Sequence, residues 1–319
     1  MHRFVRCCLR ARLRAPSLAA PGDRRDRAAR KMRPPMSSPI ALAPSLRPAP
    51  RPWRPAPAVR ASVALHAAGA AALVLVPSAW PWVLGGLVAN QAALAVAGLL
   101  PRSRAIGPNV TRLPVAAARR KEIALTFDDG PDPEVTPRVL DQLDEAGMTA
   151  TFFLIGERAA LHSALVREIV CRGHAVENHS HRHSTAFAFY GLGRMRRDVE
   201  AAQAAIADAA GVAPVFFRAP FGIRSPLLDP ALARCGLHYV SWTRRGFDTV
   251  ARKPERVLER LARGAAAGDI YLLHDGIAAR GRAGEAHALA VLPALGARLA
   301  ALGLRSVTLR AACVGDDGA

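Results

Sequence analysis

The run Ile123-Ala124-Leu125-Thr126-Phe127-Asp128-Asp129-Gly130-Pro131 carries the strongest structural signal in this chain. Its mostly apolar first half predicts a short buried strand, two adjacent carboxylates follow, and Gly-Pro then forces a turn. Neighbouring carboxylates repel each other, so a fold retains such a pair where a metal ion or an arginine offsets the charge. These residues alone would also fit a solvated Asp-Asp-Gly turn, and the choice therefore depends on the rest of the chain.

Strand-like and helix-like segments alternate from Glu122 onward in this 319-residue chain. Apolar runs predict strands at 123–127, 150–155, 174–177, 215–218, 238–242, 270–274 and 305–309. Helical patterns predict helices at 136–146, 159–172, 192–210, 226–235, 254–266 and 286–302. Such alternation is typical of a parallel α/β sheet or barrel. Because about 190 residues are too few for a full eight-fold barrel, we predict a distorted seven-stranded (β/α) barrel.

The net charge of +19 is distributed unevenly along the chain. Residues 1–60 hold 15 Arg/Lys and two Asp, residues 61–101 hold no charged side chain, and residues 102–121 hold six Arg/Lys. The remainder is neutral, with 23 residues of each sign. Basic segments on both sides of an uncharged one are typical of a membrane anchor and not of a nucleic acid-binding face. We therefore expect no nucleic acid partner, although binding through the basic N-terminus stays an alternative.

Residues 61–100 are rich in Ala, Val, Leu and Gly and are interrupted by a Pro/Trp cluster at 77–82. A membrane span needs about 20 apolar residues, so we predict a transmembrane hairpin of two short helices, with a pair of buried soluble helices as the alternative. Two spans would leave both basic flanks in the cytoplasm, whereas one span favours the body outside. The expected location is the inner (cytoplasmic) membrane of a bacterium, with the side of the body left open.

These patterns divide the chain into five predicted parts. They are a disordered basic Arg/Pro/Ala-rich segment at 1–60, a membrane hairpin at 61–100, a basic linker at 101–119, an α/β domain at 120–312 and a tail at 313–319. The five cysteines form no CxxC motif and no disulfide-like framework, which fits reduced thiols.

Polar clusters follow five of the predicted strands, each at the carboxyl end of its strand. They are Asp128-Asp129, the segment 178–183, Arg218, the segment 242–248 and His274-Asp275. In barrels of this class the carboxyl ends of the strands form the face that carries the site. Five polar clusters at that end are difficult to explain as ordinary loops, so we predict that they build one site.

His179 and His183 are four residues apart, a spacing that can bring two imidazoles to one ion. Asp129 would supply a third, oxygen ligand. Three protein ligands leave positions open for water and substrate, which is the arrangement of a catalytic metal site. His181 lies between the two histidines, and its spacing alone leaves it open as a further ligand.

The remaining polar residues complete a hydrolytic set. Asp128, next to the ligand Asp129, can act as general base for an attacking water, and Arg218 can keep that carboxylate ionised and oriented. His274 is a candidate general acid, because the ordinary pKa of histidine lies near neutrality, and Asp248 could orient its imidazole. A metal ion, a water, a base and an acid together predict amide hydrolysis.

The chain resembles the polysaccharide deacetylase family, the NodB-homology or carbohydrate esterase family 4 enzymes, over roughly residues 120–312. The run 126–131 resembles the first family motif, 178–183 the second, 218–222 the third and 272–275 the fifth, all in the family's order. The fourth motif departs from the pattern, because residues 242–248 stand where the family often has a compact Asp-x-x-Asp-Trp stretch.

The resemblance implies a distorted (β/α) barrel, a divalent metal, commonly zinc, and removal of an N-acyl group, with acetyl as the first choice, from an amino sugar. The carbohydrate would belong to a polysaccharide or to a lipid-linked glycan. The residues that it makes functional are the catalytic set Asp128, Arg218, His274 and Asp248, the metal ligands Asp129, His179 and His183, and the substrate-binding set Phe221 (through its backbone N–H), Leu273 (against the acyl methyl) and Trp242. A deformylase of a lipid-linked amino sugar and a non-catalytic carbohydrate-binding homologue are the alternatives.

Overall fold

The computed structural model of this protein describes residues 48–276 and 285–314. Much of the segment predicted to be disordered, 1–47, and most of the predicted tail, 315–319, lie outside the described residues. The description below therefore concerns the predicted hairpin, the linker and nearly all of the α/β domain.

An apolar helical hairpin precedes the α/β domain. Helix α1 (Pro57–Leu75) and helix α2 (Trp80–Leu99) are joined by a 3₁₀ turn at Pro77–Ala79. Asn90 Nδ2 of α2 donates a hydrogen bond to Ser62 Oγ of α1 at 2.8 Å, which holds the two helices together. Both helices are long and apolar enough to cross a membrane, by length and composition. Only 11% and 6% of their apolar windows are buried, which does not fit the alternative of two buried core helices.

The boundary predicted at residue 60 differs from the structure. Helix α1 begins at Pro57, because proline is favoured at a first helical position. Just before it, Arg51 forms an ion pair with Asp229 at 2.6 Å, and its backbone N–H donates to the carbonyl of Ala233 at 2.9 Å. Residues near the end of the basic segment are therefore attached to the domain, and the prediction of disorder up to residue 60 is wrong for them.

The described strands form one parallel sheet. They are β1 (Glu122–Asp128), β2 (Ala150–Leu154), β3 (Ala175–Asn178), β4 (Phe216–Phe217), β5 (His238–Tyr239), β6 (Arg244–Arg245), β7 (Ile270–His274) and β8 (Arg305–Ser306). Their order is β5-β4-β3-β2-β1-β7-β6, and β8 pairs with the start of β1. All seven predicted strands are present, but the predicted count is one short because the two arginines of β6 have no apolar run to mark them. Since β5 and β6 end the described sheet, it is an open, curled half-barrel.

Helices cover the sheet between its strands. They are α3 (Val115–Arg119), α4 (Thr136–Glu145), α5 (Gly156–Leu161), α6 (Ser163–Cys171), α7 (Leu192–Ala210), α8 (Leu228–Arg234), α9 (Pro254–Ala262), α10 (His287–Ala301) and α11 (Leu309–Val314). Helix α7 has the bounds that the sequence predicted, and Gly211 ends it in the left-handed conformation that favours glycine. The single helix predicted at 159–172 is two helices, since the backbone of His162 leaves the helical region (φ −114°, ψ 43°).

Strand β1 lies at the centre of the fold and is buried along its whole length. Its apolar side chains on one face, with Leu273 of β7, pack against helices α4 and α10 in the largest core cluster. Burying each such Leu or Phe side chain contributes about 1.5–3 kcal/mol. The register pairs Asp128 with His274 on one side and with Phe153 on the other. The carboxyl ends of the central strands are therefore level, and this edge carries the polar residues.

Candidate active site

A small pocket of about 130 Å³ opens at the carboxyl ends of the strands. Its lining residues come from five separate segments of the chain and are Asp128, Asp129, His179, His183, Phe221, Gly222, Trp242, Arg245, Thr249, Leu272 and His274. The structure thus brings together most of the residues that the sequence singled out, because parallel strands end at one edge of the sheet.

Asp129, His179 and His183 converge at one side of this pocket. Asp129 Oδ1 lies 3.3 Å from His179 Nε2 and 3.0 Å from His183 Nε2, and one ligand atom from each residue lies within 4.8 Å of the others. Asp129 Oδ1 is buried and accepts no hydrogen bond of normal geometry from the described residues. A buried, unsatisfied carboxylate oxygen between two imidazole nitrogens matches the donor set of a divalent metal site, so these residues fit a metal ion.

The loops after β1 and β3, which carry these ligands, contain three residues in unusual backbone conformations. Asp129 (φ 73°), Ser180 (φ 67°) and His183 (φ 50°) are all in the left-handed region. Such conformations cost about 1–3 kcal/mol each in a non-glycine residue and are concentrated at functional sites. Local hydrogen bonds hold the turn, because Ser180 Oγ accepts from the His183 N–H at 3.1 Å and Asn178 Oδ1 accepts from the Ser180 N–H at 2.9 Å.

The orientation of the His179 ring is fixed by a hydrogen bond on the side away from Asp129. Its Nδ1 lies 2.9 Å from the carbonyl oxygen of Arg218, so a proton on Nδ1 donates there and Nε2 faces Asp129 with a free lone pair. A backbone carbonyl behind a ligating histidine commonly fixes the tautomer that can bind metal. Arg158 fixes the backbone of Asp129, because its Nη1 donates to the Asp129 carbonyl at 2.9 Å.

Charge also favours an ionised Asp129. Burial would raise the pKa of this carboxyl, but contacts with His179 and His183 lower it well below its usual range. Conversely, burial would lower the pKa of His179, while the carboxylates of Asp128 and Asp129 raise it overall. The site is therefore electrically negative around its imidazoles, which suits a cation.

Asp128 is held by a fully buried arginine. Arg218 Nη1 lies 2.6 Å from Asp128 Oδ1 and also donates to Thr126 Oγ1 at 2.8 Å, while Nη2 donates to the carbonyl of Ser241 at 3.0 Å. The guanidinium also stacks over the ring of Phe153, with 4.1 Å from its carbon to the ring centroid. Each polar contact orients the guanidinium, so the carboxylate of Asp128 is both neutralised and fixed in direction.

His274 lines the same pocket and is paired with Asp248. His274 Nδ1 lies 2.9 Å from Asp248 Oδ1, and the His274 backbone N–H donates to Asp248 Oδ2 at 2.8 Å. Burial would lower the pKa of His274, but the carboxylate of Asp248 raises it to about 9. The imidazole is therefore protonated at neutral pH and has a proton to donate from Nε2.

One residue lies elsewhere than the sequence predicted, and one that the sequence left open lies outside the pocket. Leu273, expected against the acyl methyl, is fully buried in the core cluster, and Leu272 lines the pocket instead. Side chains alternate along a strand, so Leu272 shares the face of His274 and Leu273 points away. His181, left open as a ligand, lies against Gly156 with its Nε2 4.0 Å from Glu157 Oε1 and does not line the pocket.

Phe221 and Trp242 form the apolar rim of the pocket. The half-exposed Phe221 ring lies 4.8 Å from the ring of His183, and its backbone is left-handed (φ 58°). Trp242 is buried beside Gly222, where an added Cβ would lie only 2.5 Å from the Trp242 ring. This close approach explains the glycine of the third motif, since a residue without a Cβ leaves room for the indole.

Sequence reasoning included two further polar residues of this region in its clusters but gave them no role. Arg245 lines the pocket within the divergent fourth motif, where only the departure from the family pattern could have marked it. Asp275 is fully buried next to the pocket and accepts a hydrogen bond from Thr136 Oγ1 at 2.6 Å. Burial raises the pKa of Asp275 to about 7, and the nearby Asp129 charge adds to the shift. Its place directly after His274 in the fifth motif was the available signal.

Comparison with known proteins agrees with this geometry. Residues 116–240 match the model of the polysaccharide deacetylase family. A chitooligosaccharide deacetylase of Sinorhizobium fredii is 37% identical over 165 residues, which are 51% of this chain and 76% of that protein. A peptidoglycan-N-acetylglucosamine deacetylase of Bacillus cereus is 34% identical over 164 residues, 49% of this chain and 73% of that protein.

A solved structure gives the same result. The family 4 carbohydrate esterase from Streptomyces lividans in complex with acetate superposes with a TM-score of 0.53 at 33% identity, covering 58% of this chain and 91% of that one. The curled parallel sheet and the polar residues at its edge thus define an amide-hydrolysing α/β enzyme. The chain belongs to the polysaccharide deacetylase family, whose carbohydrate esterase family 4 members are metalloenzymes.

Proposed function

We propose that this protein is a metal-dependent hydrolase that removes the N-acetyl group from an amino sugar of a glycan. The observation that carries the proposal is that three acidic or imidazole groups around one pocket have three different environments. Asp128 is ion-paired with buried Arg218, His274 is paired with Asp248, and Asp129 has an unsatisfied oxygen. The names of the relatives, which specify chitooligosaccharide and peptidoglycan N-acetylglucosamine, support the class of substrate.

Asp129, His179 and His183 would hold the metal ion, and their one oxygen and two imidazole donors suit zinc. A divalent ion in such a site supplies Lewis acidity to an amide oxygen and makes water more acidic. The contribution of the chain is to direct one donor atom of each side chain toward the ion. The carbonyl of Arg218 does this for His179, because it holds the ring proton on Nδ1.

Asp128 is the proposed general base. Arg218 occupies its Oδ1, so Oδ2 is left to take a proton from the attacking water at the pocket. The guanidinium keeps the carboxylate in one rotamer next to the ligand Asp129. The base is therefore already oriented to accept the proton from the water. The backbone N–H of Phe221 would donate to the developing oxyanion.

His274 is the proposed general acid. Its Nδ1 is engaged by Asp248, and the proton on Nε2 is the one available for the departing amine. A pKa raised to about 9 keeps that proton on the imidazole through the neutral range. A pocket of about 130 Å³ with Leu272 and Trp242 in its wall suits a short acyl group such as acetyl.

The apolar hairpin supports membrane attachment of the enzyme. Helices α1 and α2 satisfy the length and composition of membrane spans and expose most of their apolar surface. We propose that they anchor the protein in the inner membrane of a bacterium, next to its glycan substrate.

The test is acetate release by the purified full chain in detergent from a chain of four N-acetylglucosamine units. We expect release that is lost after chelation and restored by added Zn²⁺, with the metal content measured in parallel. Binding of the oligosaccharide without acetate release, at full metal occupancy, would instead support the non-catalytic homologue. Faster release of formate than acetate from matched N-acyl sugars would support the deformylase.

A further inference from the structure

An open cleft of about 820 Å³ adjoins the active-site pocket. Trp242 and Arg245 line both the cleft and the pocket, so the two spaces are continuous at these side chains. The cleft is strongly basic, because five of its lining residues are arginines, namely Arg102, Arg244, Arg245, Arg260 and Arg263. None of its described lining residues is acidic.

Two of these arginines are neutralised by carboxylates outside the cleft. Arg244 Nε lies 2.7 Å from Asp269 Oδ2, and Arg263 is ion-paired with Glu259. These pairs lower the positive charge available to a ligand at that end of the cleft.

The other three arginines form no ion pair with the described carboxylates. Arg102 donates to the carbonyl of Thr243, and Arg260 Nη1 donates to the carbonyl of Gly246 at 3.4 Å. Arg245 has a buried Nε without a hydrogen-bond partner among the described residues. No described carboxylate forms a close ion pair with these three guanidiniums, although the more distant charges of Asp128 and Asp248 act on Arg245.

Aromatic rings hold Arg245 in place. Its guanidinium carbon lies 5.3 Å from the Trp242 ring centroid and 4.7 Å from that of Phe247, and Arg260 lies 5.4 Å from the same Phe247 ring. Stacking restrains the plane of a guanidinium while its N–H edges stay free. A fixed fork of N–H donors is the geometry that binds a phosphate bidentately.

The cleft places the guanidinium of Arg245 next to the pocket in which the acetamido group of an amino sugar would bind. In an N-acetylglucosamine 1-phosphate the acetamido group and the phosphate are on adjacent ring carbons. An amide bound in the pocket therefore places the phosphate at the pocket rim, where Arg245 lies. A neutral chito-oligomer offers hydroxyl and carbonyl oxygens to these N–H donors but no negative charge, so a phosphate would gain more from them.

We propose that Arg245, with Arg102 and Arg260, binds a phosphate attached to the amino sugar, so that the preferred substrate is a phosphorylated N-acetyl amino sugar. The inference rests on the proposed deacetylase function and specifies its substrate class. Arg245 is a specificity-determining residue, since it lies beside the reacting amide and would contact a group that takes no part in hydrolysis.

Both a soluble sugar phosphate and a lipid-linked sugar carry such a phosphate. A second cavity provides a way to distinguish these two kinds of substrate. An apolar groove of about 380 Å³ is lined by Leu94 and Leu99 of helix α2 and by Phe189 and Phe221. Phe221 also lines the active-site pocket, so the groove leads from the apolar helix to the site. The basic cleft and the groove share no described lining residue, but both adjoin the pocket, so a lipid chain on a phosphate at the pocket rim would have an apolar surface to occupy there.

The experiment compares kcat/KM for N-acetylglucosamine 1-phosphate with that for neutral N-acetylchitotriose, using zinc-loaded full chain. We expect the wild type to prefer the phosphate, and Arg245→Gln to reduce this preference about 10–100-fold, the usual value of a charge-assisted hydrogen bond. Arg245→Lys should restore part of it. Arg167→Gln, an exposed arginine of α6, is the matched control and should leave the ratio unchanged.

A neutral-substrate preference in the wild type, or a parallel loss on both substrates in Arg245→Gln, would overturn the proposal, since a merely structural arginine affects both alike. If the wild type released acetate from neither substrate, the proposed function itself would fail. A third arm uses a polyprenyl phosphate-linked N-acetylglucosamine in detergent with Phe189→Ser. If Phe189→Ser lowers kcat/KM for the polyprenyl-linked substrate but not for the soluble sugar phosphate, the phosphate site serves a lipid-linked sugar. If Phe189→Ser and the wild type have equal kcat/KM on the polyprenyl-linked substrate, the phosphate site serves a soluble sugar phosphate.

Discussion

The site contains two contacts between aspartate and histidine that look alike but behave differently. In one, Asp248 is fully engaged by the imidazole and the backbone of His274. In the other, Asp129 faces two imidazoles, yet its buried Oδ1 accepts no hydrogen bond of normal geometry from any described residue. The first contact is complete and stores a proton. The second is incomplete, as expected of the donor set of a divalent metal site. The difference teaches that satisfaction of hydrogen bonds, and not residue type, distinguishes a paired proton donor from a candidate metal-ligand set.

The largest test of this comparison removes the incomplete aspartate. Asp129→Ala deletes the oxygen ligand, so we expect both metal binding and acetate release to be abolished, as measured by elemental analysis and turnover. Asp208→Asn, an exposed aspartate of α7, is the control and should keep both. Full activity in Asp129→Ala would refute the metal role of Asp129.

The second test removes the complete pair's histidine. His274→Ala should leave metal binding intact, because this side chain is not part of the metal cluster. The rate should fall by about 10²–10⁴, which is the usual contribution of one general acid. An unchanged rate would mean that another group protonates the leaving amine.

A third test keeps the histidine and weakens its partner. Asp248 raises the pKa of His274 to about 9, so the imidazolium persists until the pH rises through that value. In Asp248→Asn the alkaline limb of kcat/KM should move to lower pH, toward the ordinary histidine value. Because the folded-state pKa is raised, the pair stabilises the fold fully below about pH 6.5 and loses this contribution as the pH rises toward 9. A limb at the same pH in the variant would exclude Asp248 as the cause.

The smallest test separates the two leucines beside the acid. Leu272→Ala should widen the acyl pocket and raise the relative rate on N-propionyl sugars by about 10-fold or more, the value of one methylene in an apolar pocket. Leu273→Ala should instead lower the free energy of unfolding by about 2–5 kcal/mol, because it opens a cavity in the core, and should leave acyl preference unchanged. If Leu273→Ala altered the acyl preference and Leu272→Ala did not, the assignment of Leu272 to the pocket wall and of Leu273 to the core would be contradicted.

Much of the fold could be predicted from local patterns. Apolar runs marked seven strands, and the periodic pattern of α7 marked both of its ends. The strand β6 was missed because Arg244-Arg245 pairs with β7 through backbone alone, without an apolar signal. The break at His162 was missed because a continuous helical pattern does not record where the backbone must turn onto the sheet.

The sequence by itself determined which residue types stand at the strand ends, because their order and spacing are properties of the chain. It identified Asp128, Asp129, His179, His183 and His274 as members of one site. Only the tertiary structure decided which face each side chain uses. It turned His181 toward Glu157, placed Leu272 in the pocket, left Asp129 unsatisfied and set Arg245 between the pocket and a basic cleft. These outcomes depend on the packing of segments far apart in sequence, and local patterns carry no information about such contacts.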